Sequence, residues 1–131
     1  MQAFGFAARG MLCALLTLSI GVSRMAYADE AGLTGDPQRG KTLYGGCQGC
    51  HSLDDNDVGP RHRGVVGRKA GSVPDYAYSS ALKASGIVWD KASLDRWLTN
   101  PQKLVPGAKM FFSIPDAQVR ADIIAYLSSQ K

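Results

Sequence analysis

Two thiols and an imidazole stand together at Cys47-Gln48-Gly49-Cys50-His51. A Cys-x-x-Cys pair followed at once by histidine is the spacing for covalent haem attachment. Each thiol can add to one vinyl group of the ring, and the turn between them matches the separation of those vinyls. His51 then falls beneath the ring and can give a nitrogen to iron. Two other chemistries use such cysteines. A redox dithiol belongs in a βαβ pattern, which this chain lacks. A structural zinc site takes four ligands, and the only other histidine is His62. The motif therefore predicts one haem c, held through Cys47 and Cys50.

One histidine leaves an axial face of the iron to Met110, His62, a lysine or nothing. A thioether favours ferrous over ferric iron and raises the potential, which suits a carrier. A lone methionine more often fills a core. Met110 stands in Pro106-Gly107-Ala108-Lys109-Met110, 59 residues after His51, with no other methionine beyond Met25. That isolation points to ligation. His62 lies near the motif in sequence, between Arg61 and Arg63, and reads instead as a surface histidine. The carbonyl of Pro60 can accept a bond from the second ring nitrogen of His51, fixing the imidazole and raising its basicity. An ordinary turn at Gly59-Pro60 is the alternative.

Secondary structure has to position these groups. Asp36-Pro37 predicts a helix start, with Asp36 as N-cap and Pro37 in the first position. Gly40, Leu43 and Tyr44 recur at helical spacing, and Gly45-Gly46 ends the helix before the motif. A mid-helix glycine costs up to about 1 kcal/mol, so Gly40 predicts the close approach of another helix. Residues 52–77 are broken by Gly59, Pro60, Gly64, Gly67, Gly71 and Pro74 and read as a long irregular loop. Within it, Asp54, Asp55 and Asp57 lack the alternation and closing glutamate of a calcium loop and read as a solvated turn. Tyr78 to Gly86 predicts a short helix. Asp90 caps another, whose apolar face is Leu94, Trp97 and Leu98, and Asn100-Pro101 stops it. A turn over 105–112 projects Met110 among aromatics. Val119, Ile123, Ile124, Tyr126 and Leu127 form a broad stripe on a last helix, the expected partner of the Gly40 helix.

The first 28 residues are of a different kind. Arg9 precedes an uncharged run of 14 residues over 10–23, short of the about 20 apolar residues that span a membrane. Ala26-Tyr27-Ala28 supplies a small-x-small cleavage site. This reads as a secretory signal peptide over 1–28 and a single domain over 29–131, with an uncleaved anchor as the alternative. Losing 1–28 lowers the net charge from +4 to +2. Without a basic run, that charge gives no case for nucleic acid. Cys13 goes too, leaving only the thiols of the motif. A chain of this size builds a limited core, and a large apolar cofactor can supply its centre.

Residues 40–127 resemble the class I c-type cytochromes, close to the mitochondrial and soluble alphaproteobacterial electron carriers. The likeness rests on Cys-Gln-Gly-Cys-His, Gly59-Pro60, Gly64-Val65-Val66-Gly67-Arg68-Lys69, Tyr76-Ala77-Tyr78, Gly86-Ile87-Val88-Trp89, Asn100-Pro101, Pro106-Gly107-Ala108-Lys109-Met110 and Ile124-Ala125-Tyr126-Leu127. The resemblance implies an all-α fold of helices and long loops wrapped around one haem, its first and last helices crossing. It implies His51 and Met110 as axial ligands and the Pro60 carbonyl as acceptor for His51. It also sets Arg68, Tyr78 and Trp89 near the propionates, whose charges are costly to bury unpaired. The chain departs from the pattern in two places. Leu82, Trp97 and Ala108 stand where mitochondrial-type proteins carry a polar trio beside the methionine sulfur. Gly46 and Gln102 fall where lysines are usual, while Lys103 and Lys109 remain, so docking to an acidic partner is steered weakly.

The function expected is that of a periplasmic one-electron carrier. It would be a monomer that docks transiently to oxidases, reductases or dehydrogenases, including membrane complexes. No residue set resembles a catalytic constellation, so no enzyme activity is expected. A ligand-binding or peroxidase-like haem protein is the rival, and His62 is its one visible distal candidate. A dedicated subunit of a single redox enzyme is a third reading, which tight co-purification would reveal.

Overall fold

A computed structural model of the chain describes residues 1–2 and 33–131. The run over 10–23 and the cleavage site Ala26-Tyr27-Ala28 lie outside the described residues. Among the described residues the helices are α1 (Pro37–Leu43), α2 (Ser80–Ala84), α3 (Lys91–Thr99), α4 (Pro101–Leu104) and α5 (Ala117–Ser129), with a 3-10 turn at Tyr44–Cys47 after α1. None is long and apolar enough to cross a membrane. Extended pairing among them is limited to one antiparallel bridge, Lys69 to Val88. The all-α expectation holds.

Each start signal acts through a specific bond. The Asp36 carboxylate accepts from the amides of Gln38 and Arg39 at 2.8 and 3.2 Å, two of the donors a helix leaves unpaired. Asp90 and Ser93 exchange side-chain and backbone bonds at 2.6 and 2.8 Å, a reciprocal capping box for α3. Three boundaries differ from expectation. Gly45 and Gly46 do not end α1 in coil. Neither takes the left-handed backbone that terminates helices, and the chain tightens into the 3-10 turn that runs on to Cys47. α2 begins at Ser80 rather than Tyr78, because Ser79 is the extended N-cap and its hydroxyl accepts the Leu82 amide at 3.1 Å. Asn100-Pro101 stops α3 and also starts α4, which the sequence did not suggest. Asn100 is extended, and its side chain accepts the Lys103 amide at 2.9 Å.

α1 packs against α5 as Gly40 predicted. A Cβ at Gly40 would run into the Asp122 carbonyl, and one at Gly35 into the Ala121 carbonyl. Tyr44, Ile123, Ile124, Tyr126 and Leu127 are buried in the core. α5 also buries two charges that its apolar stripe does not signal, Asp122 and Arg120. The Asp122 carboxylate, 1% exposed, accepts the Asp36 amide at 2.8 Å, the Gln118 amide nitrogen at 2.9 Å and both Nε and Nη2 of Arg39. Arg120 donates to Asp95 of α3 at 2.7 Å and to the carbonyls of Ile114 and Pro115 at 2.9 and 2.8 Å. Asp122 thus ties α5 to the start of the domain, and Arg120 ties it to α3.

Candidate functional site

Helices and loops enclose a mainly apolar cavity of about 360 Å³, within the range of cofactor pockets. Its wall contains Cys47, Cys50, His51, Pro60, Arg68, Tyr78, Trp89 and Met110. The structure thus gathers every site residue expected from sequence.

The motif folds as one turn continuing the 3-10 segment. The Cys47 carbonyl accepts the amides of Cys50 and His51 at 3.1 and 2.9 Å, so both thiols and the imidazole sit within one helical turn. Cys47 is half-buried and Cys50 exposed. Burial and the neighbouring Cys50 push the Cys47 thiol up.

Nδ1 of His51 lies 2.8 Å from the Pro60 carbonyl. A carbonyl can only accept, so Nδ1 carries the proton and Nε2 keeps the lone pair that a metal needs. Burial lowers the His51 pKa, and the Pro60 bond opposes that shift. Gly59 is also required here, because a Cβ on it would collide with the His51 ring. The Gly59 amide donates to the Cys50 carbonyl at 2.7 Å, which pins the loop to the motif. The Gly59-Pro60 step is therefore more than an ordinary turn.

His62 is not the surface histidine expected. Its ring stacks on His51, centroids 4.0 Å apart and planes 21° from parallel, and its Nδ1 lies 3.1 Å from the Tyr44 hydroxyl. Burial, with the nearby His51 and Arg68, pushes the His62 pKa down to about 3. Burial drives the Tyr44 hydroxyl up to about 12. The loop folds back to make this contact, and the flanking Arg61 and Arg63 concealed it.

A second wall comes from two strands of loop clasped together. The Trp89 amide donates to the Arg68 carbonyl at 2.9 Å, and the Gly67 amide to the Trp89 carbonyl at 2.7 Å. The Arg68 guanidinium is anchored on the Arg63 and Arg61 carbonyls at 2.8 and 2.7 Å, and burial lowers its pKa. Tyr78 is raised by burial. Trp89 packs on Trp97, ring centroids 5.3 Å apart.

Met110 is half-buried and reaches the cavity from the turn after α4, and Leu82 and Trp97 line the same cavity. Lys109 is drawn across to the Ala77 carbonyl. Phe111 and Phe112 are exposed. Two thiols, an imidazole with Nε2 left for metal, and a thioether are the donor set of a haem c. Around an apolar cavity, they fit that group.

The cytochrome c family model matches residues 37–131. The chain is 43% identical over 110 residues to cytochrome c2 of Rhodomicrobium vannielii, covering 81% of this chain and 88% of that protein. It is 50% identical over 101 residues to cytochrome c2 of Rhodopila globiformis, covering 74% and 95%. Among solved structures, cytochrome cH from Methylobacterium extorquens superposes with a TM-score of 0.70 at 48% identity, covering 72% of this chain and 99% of that one. The chain belongs to the cytochrome c family, as a class I member of the alphaproteobacterial type. It carries one haem c, attached covalently through Cys47 and Cys50. It is an electron carrier that works with redox partners, not an enzyme.

Proposed function

We propose that residues 1–28 direct export and are removed, and that residues 29–131 act in the periplasm as a monomeric one-electron carrier with His51 and Met110 on the haem iron. The observation that carries the ligand reading is the convergence of His51 and Met110 on one apolar cavity. When bound, the haem supplies the Fe(II)/Fe(III) couple. Pro60 holds the His51 ring in one orientation and, as acceptor, makes Nε2 more basic. Leu82, Trp89 and Trp97 exclude water, so little solvent has to rearrange when the charge changes. Arg68, Tyr78 and Trp89 offer N–H and O–H donors to the propionates, and the two carbonyl anchors hold Arg68 for that task. Phe111 and Phe112, beside Lys109, form the surface for transient docking to an oxidase, reductase or dehydrogenase.

One preparation tests this. Protein purified from a periplasmic fraction should have the mass of 29–131 plus one haem, and its reduced spectrum should not change under carbon monoxide. Met110→Ala should alter the ferric spectrum and admit carbon monoxide. A carbon monoxide response in the parent would favour the ligand-binding rival, and a mass that retains 1–28 would remove the processing step.

A further inference from the structure

We infer that Gln102 is the positioning residue that holds Met110 in place, through the backbone of its turn. This rests on Met110 being the axial ligand. Gln102 lies in α4 and is half-buried. Its Nε2 donates to the carbonyls of Ala108 and Met110 at 2.7 and 2.8 Å, and its Oε1 accepts the Gly107 amide at 3.3 Å. The two carbonyls fix which end of the amide is nitrogen.

One side chain thus spans the turn that presents the thioether. Among the described residues the turn's other side-chain anchor is Lys109, whose ammonium donates to the Ala77 carbonyl and so leaves the Gly107, Ala108 and Met110 backbone groups to Gln102. Leu82 and Trp97, which line the same cavity as Met110, add apolar wall. Few side chains can make this set of bonds. Lysine has donors but nothing to accept the Gly107 amide, and glutamate has no donor for the two carbonyls. Asparagine is one methylene short. Gln102 therefore biases the turn toward the conformation in which Met110 faces the cavity. A ligand that needs Met110 to leave then binds only in proportion to the open population.

The test is an imidazole titration of the ferric holoprotein, followed by its visible spectrum. Gln102→Met keeps the bulk without the bonds, and Gln102→Glu keeps the shape without the donors. Both should raise imidazole affinity by about 10- to 100-fold, the loss of two or three hydrogen bonds. Placed in a Met110→Ala background, either should change affinity less than about twofold, because the ligand being positioned is gone. Parental affinity in both single variants would overturn the inference. So would the same rise in the Met110→Ala background, which would mean general loosening of the cavity. If Met110→Ala has the ferric spectrum of the parent, the ligand reading itself fails and the inference with it.

Discussion

Gly59 has no side chain because the His51 ring occupies the space where one would go. A Cβ would press on that ring from the loop whose next carbonyl, that of Pro60, accepts the hydrogen bond from its Nδ1. Gly59→Ala should therefore displace the imidazole or its loop, costing about 1–3 kcal/mol as other overpacking does. Chemical denaturation of the ferric protein reads the cost, and the paramagnetically shifted haem methyl resonances read the ring orientation. Unchanged values of both would show that the Gly59 contact has no hold on His51. Around this ring, some of the site was legible in sequence and some was not. Cys47, Cys50 and His51 act within one turn of chain, so their spacing alone carries the chemistry. The stacked His62 depends on the loop returning to the motif, where the Ser52 carbonyl accepts the His62 amide at 2.9 Å and that of Leu53 accepts Arg63 at 2.8 Å. No short window of sequence contains that closure. Gln102 was hidden for a different reason, since its partners are near in sequence but are backbone groups of Gly107, Ala108 and Met110, which no residue type signals.

At the scale of elements, the crossing of α1 and α5 depends on Gly40. The obstacle to a larger residue is the Asp122 carbonyl, which is backbone and cannot swing aside as a side chain would. Gly40→Ala gains helix propensity, about 1 kcal/mol in an exposed helix, yet should be destabilising here by the upper part of the 1–3 kcal/mol overpacking range, about 2–3 kcal/mol. The denaturation midpoint of the holoprotein checks the sign. A neutral or stabilising result would mean that the two helices separate at little cost. α1, α3 and α5 were readable because their caps and apolar positions are local in sequence. α4 was not. Pro101 signals a stop for α3, while the same missing N–H lets it stand first in a new helix, and Asn100 serves as the end of one helix and the cap of the next.

Across the whole molecule, Asp122 joins the two ends of the domain and makes its stability depend on acid. Its carboxylate takes the Arg39 guanidinium, the Asp36 amide and the Gln118 side chain, while 1% exposed. The Arg39 bond is the largest reason that its pKa lies well below the ordinary value of 3.8, and burial only partly opposes it. In the unfolded chain the same carboxyl titrates near that ordinary value. As pH falls below it, the unfolded state takes up a proton that the native state refuses. The stability contributed by Asp122 is therefore complete above the unfolded pKa and is lost as pH falls through 3.8 toward the lower folded value. Asp122→Asn keeps the shape but removes the charge. The variant should be less stable than the parent at about pH 6, and the gap should narrow steadily down to about pH 2. Urea denaturation of both holoproteins at several pH values measures it. A gap that stays constant over that range would mean that Asp122 contributes hydrogen bonds and packing, with no part in the acid sensitivity of the fold.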